Sequence, residues 1–269
     1  MILKNITAIK EITRIGGYPN NHGISYDGLN ENMYAEDWST ANHPKLNEID
    51  TNISWTMSTV VTIESQITAQ GLYSKYGNPF IGGSLAGYFG FRWFVGPDTA
   101  PVLTATFNRG SSQNTKAEGT TQLTYGNRYH LTVTYNGIIN GSNTGFKFYI
   151  NGVLETMVLS GLNNITGILN SNDNSLPIIG SLWNFANYNF FKGTMENMRA
   201  WNVEFSQAQI NIDYNYSNPT FPIMPDNMLI DINMGDDIDT TSPLVQGDAV
   251  NSMKGWQTSN MNNTNIVTL

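Results

Sequence analysis

The chain has 269 residues, 40% of them apolar, so it is long enough to bury one substantial core. Its formal charge of −8 argues against nucleic acid as the main partner, because phosphate binding requires a positive surface. The absence of cysteine excludes disulfide bonds and thiolate metal sites.

Residues 1–22 are predicted to form an N-terminal arm. Apolar residues recur at intervals of three from Leu3 to Ile15, which fits a short amphipathic helix or an extended arm. Such an arm would either form an edge strand of the main domain or dock on a partner. Lys4 and Lys10 interrupt the apolar run, and no stretch approaches the roughly 18 apolar residues of a membrane span. We therefore expect neither a secretory signal peptide nor membrane insertion.

The clearest strand of the main domain is Tyr129–Tyr135, in which apolar and polar residues alternate. This period of two predicts a strand with one buried face. A loop leads to a second strand, Phe146–Ile150, and Asn151-Gly152 then reverses the chain, because both residues accept the positive φ angle of a tight turn. The pattern predicts a meander at the centre of the fold.

Other short strands recur about every 10 to 15 residues, as in all-β sandwiches and jelly rolls. Among them, weaker strands are predicted over 102–107 and 120–124, separated by a loop rich in Gly, Ser and Asn. The main domain is predicted over residues 23–216. One short helix follows Ser206, since Ser206 and Gln209 have the spacing of a capping box.

Residues 217–269 are predicted to be a proline-rich connector followed by a C-terminal strand and a tail. The strand is Met228–Ile232. We expect it to pair with an edge of the sandwich, in this chain or in a neighbouring copy, and so to protect that edge from aggregation.

Four motifs occur in order along the main domain: Tyr26-Asp27-Gly28, Ile53-Ser54-Trp55, the strand Tyr129–Tyr135, and the closing strand Phe191–Trp201. Together they resemble the laminin-G-like branch of the concanavalin A-like lectin/glucanase superfamily. The resemblance covers about 190 residues, 23–216, and implies an all-β jelly-roll sandwich of two curved antiparallel sheets with one short helix and N- and C-terminal extensions. The tail from Leu229 to Trp256 also resembles the segment that usually precedes the first motif in that family.

The resemblance raises the question of catalysis, because the superfamily includes glycoside hydrolases that use paired carboxylates. Those enzymes carry Glu-x-Asp-x-x-Glu along one strand. The nearest pattern here is Glu48-Ile49-Asp50 with Ile53 in place of the last glutamate, and it lies in a polar loop. We therefore expect no enzymatic activity, with a polysaccharide-cleaving or degenerate glycoside hydrolase as the alternative.

Neither a cofactor nor a firm metal site is predicted. The three histidines lack metal-ligand spacing. Asp236, Asp237 and Asp239 form the densest acidic cluster, which would suit Ca²⁺ because hard cations prefer oxygen ligands, but would equally suit a solvated turn.

The aromatic loop from Trp183 to Phe191 is the best candidate for ligand binding. Aromatic rings stack on sugars and anchor protein interfaces, and the interleaved asparagines supply adaptable hydrogen bonds. Phe190 and Phe191 are predicted to belong to the core. The ligand-binding candidates are Trp183, Phe185 and Tyr188.

The predicted function is non-enzymatic recognition or decoration by a phage virion structural protein, in the head, a head fibre or the tail. The lectin-like sandwich would lie on the virion surface, where it binds host-surface glycans or proteins. The N-terminal arm or C-terminal tail would hold other virion structural proteins, and an oligomer is compatible with this arrangement.

Overall fold

A computed structural model of the chain describes residues 22–35, 53–77, 89–109, 113–139, 145–160, 177–184, 187–215, 227–233, 238–239, 245–246, 256–259 and 266–268. Within these residues the chain is mostly β, with one helix, α1 (Gln207–Tyr214). The strands, in chain order, are β1 (His22–Asp27), β2 (Asn32–Ala35), β3 (Trp55–Ile63), β4 (Gln70–Gly77), β5 (Phe89–Val95), β6 (Leu103–Arg109), β7 (Gln113–Gly119), β8 (Arg128–Tyr135), β9 (Phe146–Ile150), β10 (Val153–Leu154), β11 (Met157–Ser160), β12 (Pro177–Ile179), β13 (Ser181–Asn184), β14 (Asn187–Phe190), β15 (Lys192–Trp201), β16 (Met228–Asn233), β17 (Ile238–Asp239), β18 (Val245–Gln246), β19 (Trp256–Ser259) and β20 (Ile266–Thr268).

Two large antiparallel sheets form the sandwich, as the sequence pattern predicted. The eight-stranded sheet has the order β10-β9-β8-β3-β15-β1-β20, with β16 also paired to β15. The ten-stranded sheet has the order β11-β7-β6-β5-β4-β12-β2-β19-β18-β17. The remaining two strands, β13 and β14, form a separate hairpin that packs against β4. The Ser74 hydroxyl on β4 fixes this hairpin by donating to the Ser181 carbonyl at 3.0 Å.

The main core lies between the two sheets and is rich in aromatic rings. Trp55 on β3 is fully buried and packs edge-on against Phe91 of the opposite sheet, with ring centroids 4.6 Å apart. Phe107 and Phe146 stack at 5.0 Å beside them. Rings of this size bury large apolar areas, so they hold the sheets together.

The predicted central meander is present as β8, β9 and β10. Asn151 and Gly152 have φ angles of 52° and 77°, so the turn has the backbone that their sequence predicted. One detail differs: His130, Thr132 and Thr134 are buried as well as the apolar residues between them. Strand β8 therefore has two covered faces rather than one.

A second apolar cluster covers the outer face of the eight-stranded sheet. Helix α1 contributes to it, and the helix begins with the predicted capping box, because the Ser206 side chain accepts from the Gln209 backbone while Gln209 reaches back. This cluster explains why the polar side of β8 is buried. Its buried members are Tyr149, Trp201, Phe205, Ile210 and Met228.

The C-terminal strand pairs with this chain's own sandwich. Residues 197–201 of β15 pair with β16, and residues 192–195 pair with β1. Since β3 occupies the other side of β15, β1 and β16 together cover one long edge. Strands β19 and β20 likewise pair with β2 and β1. The segment after residue 227 thus contributes strands to both sheets.

The predicted strand over 120–124 is wrong. The strand lies at β7, within the segment predicted to be a loop, and residues 120–124 bend away instead. The bend is fixed by Glu155, whose Oε1 accepts from the backbone N–H groups of Thr120 and Thr121 at 2.9 Å and 2.7 Å. The alternation of apolar and polar residues did not predict β7, because Ala117 is the one apolar side chain in it.

Candidate functional site

A cleft of about 580 Å³ opens at one end of the sandwich, where three chain segments meet. The first wall is the turn after β1, the second is the loop between β3 and β4, and the third is the junction of β14 with β15. The lining residues are Asp27, Gly28, Leu29, Ser65, Gln66, Ile67, Thr68, Asn189, Phe190 and Lys192.

The first wall is a tight turn that requires glycine. Gly28 has a φ angle of 79°, which glycine adopts without strain, and a Cβ there would lie 2.2 Å from Gln66 Oε1. The Asp27 side chain closes the turn, because its Oδ1 accepts from the Leu29 backbone N–H at 2.7 Å. The turn therefore approaches the second wall closely and in a fixed shape.

Gln66 joins all three walls. Its Nε2 lies 3.1 Å from the Gly28 carbonyl, 3.2 Å from Thr68 Oγ1 and 3.2 Å from the Phe190 carbonyl. These partners belong to three different chain segments. A single amide group thus holds the cleft in shape before any ligand arrives, which lowers the entropic cost of binding.

Asp98 supports the second wall from behind. Its carboxylate accepts from the Ser65 hydroxyl at 2.8 Å and from the Gln66 backbone N–H at 2.6 Å. Desolvation opposes ionisation of Asp98, but the hydrogen bonds from Ser65 and Gln66 outweigh it and hold its pKa below the usual range. Burial and the adjacent Asp98 raise the pKa of Tyr125 to about 12.

The cleft presents apolar and polar groups together. Leu29 and Ile67 are 73% and 86% exposed, so both present apolar surface at the cleft. Ser65, Thr68 and Asn189 place hydroxyl and amide groups between them. This mixture suits a ligand that has both apolar faces and many hydrogen-bonding groups.

Two of the three predicted aromatic ligand-binding residues lie in the hairpin whose base forms the third wall. Trp183 on β13 and Tyr188 on β14 are cross-strand partners in this hairpin. Phe185 lies outside the described residues. The role of all three in binding stays a prediction. Of the two predicted core residues, Phe191 is fully buried, whereas Phe190 lines the cleft.

The predicted metal and catalytic candidates fall mostly outside the described residues. This holds for Glu48, Asp50, Asp236 and Asp237, while Asp239 is described only as a backbone position in β17. Across the part of the chain that is described, no group of three or more metal-ligating side chains lies close enough to hold an ion.

A buried chain of polar groups under α1 has the order hydroxyl, imidazole, carboxylate. Thr132 Oγ1 lies 3.5 Å from His130 Nδ1, and His130 Nε2 lies 3.0 Å from Asp213 Oδ2. All three side chains are at most 4% exposed, so no substrate can reach them. The chain serves instead to attach α1 to the sheet.

Arg199 extends this buried network to β16. Its Nη1 lies 3.5 Å from Asp213 Oδ1, and its Nε lies 3.3 Å from Asp231 Oδ1. Desolvation opposes ionisation of Asp213, but its interactions with His130 and Arg199 outweigh this effect and lower its pKa. The network therefore joins two strands of the sheet to the helix and to the C-terminal strand.

Few features of the sequence pointed to the cleft. Gln66 and its neighbours lie in a short loop without aromatic residues or a motif. The only signal was Asp27-Gly28, which was part of a family motif and which forms the first wall. A membrane-spanning helix is absent from the described residues, in which the one helix, α1, has eight residues.

Comparison with known proteins supports the fold. A Bacteroides ovatus protein with a proposed carbohydrate-binding role has a similar solved structure, with a TM-score of 0.60 and 16% identity over 94% of this chain. The match covers 61% of that protein, so this chain spans less than two thirds of its length.

Two further solved structures are similar at lower scores. The sialidase module CBM40 of Ruminococcus gnavus, bound to α2,3-sialyllactose, has a TM-score of 0.47 and 14% identity over 71% of this chain and 96% of its own. A heptameric pentraxin from Limulus polyphemus has a TM-score of 0.45 and 11% identity over 71% of this chain and 81% of its own. No curated protein matches the chain.

Two large antiparallel sheets, one capped helix and a cleft built from loops define a lectin-like β-sandwich. The sequence profile of the concanavalin A-like lectin/glucanase superfamily, in its laminin-G-like form, matches residues 36–211. The chain therefore belongs to this superfamily, as the four sequence motifs predicted.

Proposed function

We propose that the chain is a non-enzymatic recognition module that binds a glycan in the cleft. The observation that carries this proposal is the cleft itself, whose volume of about 580 Å³ is within the range of small-ligand sites. Sugars offer apolar C–H faces beside hydroxyl groups. Leu29 and Ile67 would contact the faces, while Ser65, Thr68 and Asn189 would bind the hydroxyls.

The aromatic hairpin would extend the binding surface. Asn189 and Phe190 at its base line the cleft, and Trp183 and Tyr188 are cross-strand partners farther along the same hairpin. Phe185 lies between them in the sequence. Aromatic side chains stack on sugar faces, so a glycan longer than the cleft would continue onto them. The general proposal of glycan binding is supported by the fold shared with the Bacteroides ovatus protein, whose proposed role is carbohydrate binding.

Binding without cleavage is proposed because the described lining lacks a catalytic pair. Glycoside hydrolysis requires two carboxyl groups about 5 to 10 Å apart on either side of the scissile bond. Among the described lining residues Asp27 is the single carboxylate, and its Oδ1 is used to close the turn. The rival proposal of polysaccharide cleavage depends on Glu48 and Asp50.

The proposed setting is the surface of a phage particle, with other virion proteins as partners. This proposal rests on the low content of charged residues, 13%, together with a fold suited to surface recognition. Because β16, β19 and β20 pair within this chain, residues 1–22 are the better candidate for attachment. Mass spectrometry of purified particles should detect the protein; its absence from particles would contradict this setting.

A glycan array followed by calorimetry tests the proposed function. Ile67→Ser should weaken binding of the best glycan about fivefold, or roughly 1 kcal/mol, because the exposed Ile67 contacts the sugar face. Ile138→Ser is the matched control, since Ile138 is an exposed loop isoleucine that does not line the cleft. Equal loss in both variants, or turnover of a β-glucan that disappears in Glu48→Gln, would contradict the proposal.

A further inference from the structure

Carboxylates surround two walls of the cleft. Asp27 lines the first wall, and the Glu31 carboxylate accepts a hydrogen bond from the Asp27 backbone N–H. Glu64 directly precedes the second wall at Ser65, and its side chain is 58% exposed. Three negative side chains therefore lie in or beside the turn and the loop that a ligand would touch.

A fourth carboxylate lies behind the second wall. Asp98 accepts hydrogen bonds from both Ser65 and Gln66, which are lining residues. Only these residues therefore separate its carboxylate from the cleft. Desolvation opposes its ionisation, but the hydrogen bonds from Ser65 and Gln66 lower its pKa, so Asp98 is negative at neutral pH. Its negative charge is therefore present under the conditions in which binding would occur.

One cation, Lys192, stands against these carboxylates among the described lining residues. Its Nζ lies 3.8 Å from Glu64 Oε2, so the pair is loose and open to solvent. An acidic ligand that approached Lys192 would bring its own carboxylate close to Glu64 and Asp27. The charge of the whole chain, −8, adds to the same repulsion.

We infer that the cleft selects uncharged sugars and rejects sugars that carry a carboxylate. This inference rests on the proposed glycan binding and specifies its ligand class. The neutral hydroxyl and amide groups of the lining bind sugar hydroxyls, whereas the surrounding carboxylates repel an acidic group. Specificity then comes from a repulsive element as well as from attractive contacts. Repulsion between charges near water is screened by salt, so the selectivity falls as ionic strength rises.

Matched pairs of neutral and uronic-acid oligosaccharides test the inference. We expect the neutral member to bind at least about tenfold more tightly at low salt, because like charges at an interface are strongly unfavourable. Glu64→Gln should reduce this ratio about threefold, as expected for one charge removed a few ångströms away in water. In this variant the backbone N–H of residue 64 still donates to the Lys192 carbonyl, and its carbonyl still accepts from the Gln70 side chain.

Glu204→Gln is the matched control. It makes the same change in net charge, but Glu204 follows the other end of β15 from Lys192 and pairs with Lys147 at 2.7 Å. We expect it to leave the ratio unchanged. Equal or tighter binding of the uronic-acid member by the native chain would overturn the inference.

A second measurement needs no glycan. It compares the paramagnetic relaxation of backbone amide protons by a cationic and an anionic form of one nitroxide. We expect the cationic form to relax the amide protons of Leu29 and Ile67 more strongly than the anionic form, because carboxylates lie around the cleft. Ile138, which lies away from the cleft, is the reference. Stronger relaxation by the anion would overturn the inference. If neither glycan series binds, the proposed function fails, and the nitroxide comparison still decides the charge of the cleft.

Discussion

Gln66 and Asp213 show how single side chains hold distant segments together. Gln66 bridges three walls of an exposed cleft, and Asp213 connects α1 to two sheet strands in the interior. Both work through hydrogen bonds or ion pairs to partners far away in sequence. The exposed bridge shapes the cleft, whereas the buried one stabilises the fold.

Replacement of Gln66 should affect binding more than stability. In Gln66→Ala the walls lose their common amide, so the cleft must be ordered by the ligand, and we expect glycan affinity to fall about tenfold. Calorimetric titration and a thermal melt would measure the two effects. Gln207→Ala is the control, since Gln207 also bridges a loop carbonyl, at Gly152, far from the cleft. A larger affinity loss in the control would contradict the role of Gln66.

Asp213→Asn should destabilise the chain by about 3 to 5 kcal/mol at pH 7, because it removes the charge that pairs with the buried Arg199. Desolvation raises the folded-state pKa of Asp213, but the interactions with His130 and Arg199 are stronger. The net result is a lowered pKa. Its contribution is therefore present above the unfolded pKa of about 4 and is lost as the pH falls through the folded pKa. Urea denaturation from pH 7 to pH 2 should show the difference between native and variant shrinking below about pH 4.

A difference that is constant with pH would contradict this assignment. Glu204→Gln is again a useful comparison, because the Lys147–Glu204 pair is partly exposed and such pairs contribute about 0 to 1 kcal/mol.

Helix α1 and strand β16 illustrate how elements that follow the central meander complete the sandwich. The helix covers the outer face of the eight-stranded sheet, and β16 closes half of the β15 edge. Strand β16 buries four apolar side chains, whereas the helix buries one, Ile210. The helix therefore depends on its cap and on the contacts of Asp213, and β16 depends on apolar burial and main-chain pairing.

Ser206→Ala should loosen α1. Loss of the capping hydroxyl costs about 1 kcal/mol, which in a domain of this size corresponds to a fall in Tm of roughly 2 to 4 °C. Hydrogen exchange should accelerate in residues 207–214 while the meander β8–β9 stays protected. Unchanged exchange in the helix would show that the cap does not contribute.

Truncation after Pro225 should expose the edge of β15 that β16 covers. Unpaired strand edges associate with one another, and Asp231 would also be removed from the buried Arg199 network. We expect insoluble or aggregated protein on size-exclusion chromatography. A folded, monomeric and soluble truncated chain would contradict the structural role of the C-terminal strand.

At the scale of the whole molecule, the features that could be predicted from the sequence are those that neighbouring residues determine. The meander, the Asn151-Gly152 turn and the Ser206 cap each depend on neighbouring residues, so their periodicity and turn chemistry were sufficient. The contact between His130 and Asp213 joins residues 83 positions apart, and no local pattern encodes it. The cleft is less predictable still, because its walls come from three separate segments that meet only after both sheets have formed.

The central claim is that the cleft between the β1 turn, the β3–β4 loop and the hairpin base binds a glycan. The most direct test is to titrate the labelled chain with the tightest neutral glycan from the array and to follow the amide shifts by NMR. The account predicts saturable shifts concentrated at residues 27–29, 65–68 and 189–192. Shifts concentrated instead on the outer face of the ten-stranded sheet, around Arg92 and Lys116, would contradict it.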